Sequence, residues 1–175
     1  RQRQMCIRDR FISTGLMFHQ IYIFDQKGWS LEMLGNGYIL LGFFSIIGLL
    51  IGGPLVDKFD TKKTAITVLA PLLLSVIVLV FFDSVLFLII YMSLYGFNMG
   101  ISTPFIGSLW AEVYGVKSLG TVKALLHAGA VFASALSPLV FGYIIDWGFG
   151  ITTIATISIS IIIVSTLLPI YNKLP

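Results

Sequence analysis

Five stretches of this chain carry no Asp, Glu, Lys or Arg: 33–56, 64–82, 84–111, 124–145 and 147–172. About 20 apolar residues of helix cross the hydrocarbon core of a bilayer, so each stretch is long enough to span one. Backbone polar groups in lipid must be satisfied within the segment, and over such lengths a helix does this. Charged residues make up 11% of the chain, well below the roughly 25% of soluble domains. Mean hydropathy is +0.97. The sequence describes an all-α membrane protein whose first partner is the lipid bilayer.

A sixth apolar run, FISTGLMFHQIYIF at 11–24, is too short to span unaided. The stretch before it, RQRQMCIRDR, is strongly basic and has neither the apolar core nor the small-residue cleavage site of a signal peptide. It resembles translated adapter or vector sequence, so residues 1–10 are set aside as foreign and the first helix is expected to be truncated. That removes Cys6, the only cysteine, and four of the eleven basic residues. No disulfide within the chain is then possible, and the sequence pI near 9.1 is no argument for a nucleic-acid partner. The expected helices cover 11–25, 31–57, 64–82, 84–113, 118–146 and 150–170, with a short tail at 173–175.

Six spans alternate the connecting segments between two sides. Lys58, Lys62, Lys63, Lys117, Lys123 and Lys173 then fall on one side and Lys27 on the other; the excess of lysine marks the first side as cytoplasmic. GGPLVDKFDTKK at 52–63 holds five of the chain's nineteen charged residues. Burying Asp57, Lys58, Asp60, Lys62 and Lys63 in lipid would cost about 2.5–3.5 kcal/mol each on insertion scales, so this strip is expected to be a cytoplasmic loop.

Gly53 precedes Asp57 by four positions at the end of the second span, and Gly142 precedes Asp146 by four at the end of the fifth. Three crossings separate the two copies, which places them on opposite faces, as in two three-helix repeats of inverted topology. The third and sixth spans lack glycine, unlike the others, and are expected to face lipid. Small residues four apart, Gly48 with Gly52, Gly96 with Gly100 and Gly129 with Ala133, share helix faces on which backbones can approach closely.

Polar side chains mark candidate solute contacts. Tyr91, Tyr95, Asn98 and Ser102 follow 0, 4, 7 and 11 spacing on the fourth span, which puts them on one face. Polar groups at mid-bilayer depth need partners, either solute and water in a cavity or a neighbouring helix; both remain open. On the first span Gly15, His19 and Tyr22 share a face. Imidazole titrates near neutral pH, so His19 can carry a proton, bind solute, or stay neutral and bonded to a neighbour. His127 lies one turn past Lys123 and reads as interfacial. Pro104 and Pro138 are expected to kink their helices. No charged residue occupies the middle of a span, and nothing in the pattern calls for a metal or organic cofactor.

In the order and spacing of these features the chain resembles the C-terminal half of a major facilitator superfamily transporter, its helices seven to twelve. Gly53, Asp57, Lys58, Lys62 and Lys63 match the superfamily's loop motif, although Asp60 stands where a second glycine is usual and Thr61 where a basic residue is usual. Glu112, Gly115, Lys117 and Gly120 match an acidic helix end with its following residues, and FASALSPLVFGYIID at 132–146 resembles the small-residue helix of the half-to-half interface. The resemblance covers 11–172. It implies a secondary transporter, symporter or antiporter, working by alternating access with an N-terminal six-helix half, with H+ or Na+ as candidate coupling ions. It also implies that Asp57 and the lysines latch the cytoplasmic side shut with Glu112, where spacing alone leaves open that they only set orientation. HQIYIFDQKGWS further resembles bacterial relatives of monocarboxylate carriers, which implies an organic anion as solute, yet their helix-two arginine is missing.

Two other classes compete with a transporter. A rhomboid-type intramembrane protease needs Gly-x-Ser-Gly, and the metallo and aspartyl alternatives need His-Glu-x-x-His or Gly-x-Gly-Asp; none occurs, so no enzyme is expected. A six-helix protein that associates with itself, as a channel or a non-transporting membrane partner, is the remaining alternative.

Overall fold

The structure is a computed structural model that describes residues 2–58, 61–115 and 119–171. Asp60, Lys117 and Lys173, with the expected tail, lie outside the described residues, as do the side chains of Lys62 and Lys63. Seven helices occur among the described residues, and no strand: α1 (Gln2–Phe18), α2 (Gln20–Gln26), α3 (Leu31–Lys58), α4 (Thr61–Phe81), α5 (Val85–Tyr114), α6 (Leu119–Asp146) and α7 (Ile151–Tyr171).

Two boundaries differ from expectation. In place of one short helix from residue 11, α1 starts at Gln2 and the chain continues after His19 as α2. Residues 2–10 contain no glycine or proline and several good helix formers, so the helix propagates through them. In place of a loop at 52–63, residues 52–58 close α3 and 61–63 open α4. The physical reason is length: α3 has 28 residues, more than the roughly 20 that span the hydrocarbon, so its charged end emerges from lipid while still helical.

The helices run through Pro54, Pro71, Pro104 and Pro138 without ending. Among the described residues three helices are long and apolar enough to cross a membrane, Leu31–Lys58, Val85–Glu112 and Gly120–Asp146. The outward faces of α3 and α6 show Ile39, Phe43, Leu50, Leu125, Phe132 and Leu139. Apolar exposure on that scale suits lipid or partner helices and not water. The chain is an integral membrane protein.

Contacts fix the helix directions. Gly48 meets Phe97 and Ile101, and Gly52 meets Ile101 and Pro104, so residue numbers rise together and α3 runs parallel to α5. Ile7 lies by Gly129, Phe11 by Ser137 and Gly15 by Phe141, which makes α1 parallel to α6. Ser13 pairs with Tyr95 and Gln20 with Tyr91, so α1 and α2 run against α5. It follows that α3 and α6 are antiparallel, and the Gly53–Asp57 and Gly142–Asp146 corners sit at opposite ends of the bundle.

The packing is crossed between triplets. The opening helix of the first, α1, packs on α6 and α7 of the second; the opening helix of the second, α5, packs on α3 and α4 of the first; α4 and α7 pack on each other. The two glycine-free helices therefore bury one face, through Leu72, Val76 and Leu79 on α4 and Ile154, Ala155 and Ser158 on α7, and present the other outward.

The closest seam is α3 with α5. A Cβ added at Gly96 would collide with the Leu41 carbonyl, one at Gly100 with the Ser45 carbonyl, and one at Gly48 with the Phe97 carbonyl. The spacing of small residues thus allows backbone-to-backbone contact, as packing in lipid favours. Gly129 differs, being exposed, with only the tip of Ile7 at 3.9 Å.

At the end opposite Asp57 the connections are clasped together. Lys27 Nζ donates to Asp83 Oδ1 at 2.6 Å and to the carbonyls of Phe82 and Val80 at 3.3 and 3.4 Å. Trp29 Nε1 donates to the Asp83 carbonyl at 2.7 Å. The lysine placed alone on its side of the membrane by sequence thus closes the C-terminal end of α4.

Candidate functional site

The α1–α2 break positions the site. His19 has φ −99° and ψ 18°, away from the α-helical pair of about −63° and about −42°. Its Nδ1 pairs with the Gly15 carbonyl at 2.9 Å, a bond that needs the proton on Nδ1 and so leaves Nε2 as an acceptor in the neutral ring. Gly15 has no side chain because α6 occupies that space: a Cβ there would run into Phe141 and Ser137. Phe141 also lies edge-on to Phe11 at 5.9 Å and tilted to His19 at 6.1 Å, while Ser137 Oγ donates to the Phe11 carbonyl. Small and aromatic side chains on α6 thus hold both the helix before the break and the imidazole at it.

Beside the break opens a cleft of about 480 Å³ lined by Phe18, His19, Tyr22, Asp25, Trp29 and neighbouring aliphatics. Of the expected solute residues, His19 and Tyr22 line it. The other four do not; they run along α5 away from it, Ser102 about 16 Å beyond Tyr91 at roughly 1.5 Å per residue. Gln20, buried on the inner face of α2, donates from Nε2 to Tyr91 Oη at 2.6 Å. Tyr95 Oη donates to the Ser13 carbonyl at 2.5 Å, and the two tyrosine rings stack with centroids 5.9 Å apart. Asn98 Nδ2 donates to the Val68 carbonyl on α4 at 2.7 Å. Asn98 Oδ1 and the Ser102 hydroxyl are buried and make no hydrogen bond. Tyr91, Tyr95 and Asn98 therefore tie α5 to α2, α1 and α4, and none of the four stripe residues lines the cleft.

Asp57, Lys58 and Glu112 are exposed at the parallel ends of α3 and α5, about 40 Å along α3 from the cleft at roughly 1.5 Å per residue. Gly53 is half-buried, and nothing lies within 4 Å of a Cβ added there. His127 and Lys123 are exposed on α6. Sequence reasoning missed Gln20, Asp25 and Trp29. The signal for the break was the polar pair His19-Gln20 in the middle of an apolar run, since two adjacent polar groups need partners on different sides of a helix.

Comparison with known proteins converges on one family. A family model described as the Major Facilitator Superfamily matches residues 9–174. The chain is 32% identical over 144 residues, 78% of its length, to a Bacillus subtilis (strain 168) protein named "Uncharacterized MFS-type transporter YttB". It spans 36% of that relative's length. No solved structure matches. Long apolar helices, crossed packing between triplets and a family match over nearly the whole chain lead to one assignment: this chain belongs to the major facilitator superfamily.

Proposed function

We propose that this chain is the C-terminal six-span lobe of a secondary active transporter, which moves a small solute across a bacterial cytoplasmic membrane by alternating access with an N-terminal lobe. The observation that carries the reading is the interrupted first span, whose break lies beside a cleft that His19 and Tyr22 line. Discontinuous helices supply solute sites in transporters because irregular backbone at membrane depth persists only where it lines a cavity or is buried in protein. In this reading His19 and Tyr22 touch the solute, Tyr91 braces α2 through Gln20, and Tyr95, Asn98 and Ser102 serve packing of α5 further along the bundle. His19 Nε2 can also accept a proton while Nδ1 keeps its bond to Gly15, which suits coupling to H+.

Asparagine can replace the Nδ1 donor of His19 but offers nothing at the position of Nε2. In proteoliposomes of the full-length protein, His19→Asn is expected to lower solute uptake about tenfold, the scale of one hydrogen bond lost, with unchanged insertion. Uptake equal to wild type across a solute panel in which the wild type is active would remove His19 from the site.

The cytoplasmic end supplies the second half of the cycle. Asp57, Lys58, Lys62, Lys63 and Glu112, with Gly53 one helical turn before Asp57 in α3, act as a latch whose contacts form only when that side is closed. Such contacts bias the carrier toward its outward-facing state. Asp57→Asn is expected to raise thiol labelling of a cysteine placed in the cytoplasmic vestibule; identical labelling rates in the two proteins sink the latch.

A further inference from the structure

We infer that the cleft at the α1–α2 break takes an amphiphilic organic cation: an ammonium group on an aromatic or apolar body. The inference rests on the cleft being the solute site and adds the sign of the solute's charge. Among the residues that line the cleft there is one carboxylate, Asp25, and no lysine or arginine.

Lys27, two residues along, does not neutralise it. That ammonium is committed to Asp83 and the α4 carbonyls, and its side chain is only 5% exposed. Among the described residues, no salt bridge involves the Asp25 carboxylate. An anion entering the cleft would meet this charge with no counter-charge in the walls, whereas a cation would meet its partner.

The rest of the lining suits the same guest. Phe18, Tyr22 and Trp29 supply ring surface, and aromatic faces attract cations through their quadrupole. Trp29 is held in place by its bond to the Asp83 carbonyl and by edge contact with Phe24 at 5.2 Å, so its ring is set before a solute arrives. His19 Nε2 adds an acceptor for an ammonium N–H. A volume of about 480 Å³ falls in the range of small-molecule sites, roughly 300–1,000 Å³.

Tryptamine and indole-3-acetate test this directly, since they share a ring system and carry opposite charges at neutral pH. Equilibrium dialysis of the radiolabelled compounds is run against the full-length protein in detergent, wild type and Asp25→Asn. Asp25 is exposed and, among the described residues, makes no side-chain bond to the fold, so the isosteric amide leaves folding intact, as a matching elution profile verifies. Saturable tryptamine binding, weakened at least about tenfold by Asp25→Asn, with no saturable binding of indole-3-acetate, is the expected result. Equal binding of the two, preference for indole-3-acetate, absence of saturable tryptamine binding, or a Kd for tryptamine unchanged by Asp25→Asn each overturns the inference. The transporter reading fails separately: it stands if His19→Asn lowers uptake of any solute, whatever Asp25→Asn does.

Discussion

Gly100→Ala should lower the stability of the folded chain by about 2–3 kcal/mol, at the upper end of ordinary overpacking costs, and Gly100→Leu should prevent accumulation of folded protein. The obstacle is the Ser45 carbonyl, a backbone atom that cannot rotate away like a flexible side chain. To admit even a methyl group, α3 and α5 must part, and parting them also loosens the contacts of Gly96 with Leu41 and Gly48 with Phe97 along the same seam. Gly42 on α3 is the control, being exposed with nothing within 4 Å of an added Cβ. Gly42→Ala should gain up to about 1 kcal/mol from helix propensity alone. Thermal unfolding in detergent, followed by tryptophan fluorescence, reads both. If Gly100→Ala melts with wild type, the two helices do not approach as closely as the seam requires.

Lys27→Met should destabilise the chain by about 2 kcal/mol, within the range for bonds from a charged donor, while Asp83→Asn should have a much smaller effect. The ammonium is nearly buried and satisfies three acceptors, two of them carbonyls at the C-terminal end of α4. Bonds of this kind are worth about 1.5–3 kcal/mol when broken, and a cation there also complements the helix dipole. Asp83 by contrast has a side chain 77% exposed, and such surface pairs contribute about 0–1 kcal/mol. Its backbone carbonyl would go on accepting from Trp29 after substitution. Equal losses in the two variants, measured by the same melts, would show that the ion pair and not the closure of α4 holds this end together.

How much of this is legible in the sequence follows from which forces act locally. Charge-free length marks the spans, since exclusion of charge from lipid acts on each segment alone. The two Gly–Asp corners imply the opposition of the bundle ends, which the helix directions bear out. Glycine spacing anticipates the α3–α5 seam but gives the same weight to Gly129 with Ala133, because spacing says that a face is small and not what lies across it. The break at His19 has only a faint local pattern, the adjacent polar pair His19-Gln20. It depends on Gly15 being pressed by Phe141, a contact between residues far apart along the chain. The stripe of Tyr91, Tyr95, Asn98 and Ser102 does share one helix, yet its partners, the Ser13 and Val68 carbonyls and Gln20, lie on three other helices and have no pattern of their own. The organic anion suggested by one phrase of the first span and the cation suggested by the cleft wall rest on different grounds; only the second is argued from atoms in place.

The crossed pairing of the triplets carries a consequence for how such a chain is made. When the ribosome has delivered α1 to the bilayer, the surfaces that will cover it, on α6 and α7, are still to be synthesised, after α2, α3, α4 and α5. The opening segment, with its buried glutamine and its imidazole, must therefore wait in the membrane or at the insertion machinery without its final neighbours. The order of synthesis lets α5 close on α3 and α4 first, while the opening segment gains its cover on α6 and α7 last, so the wall proposed for the solute is also the last to be completed.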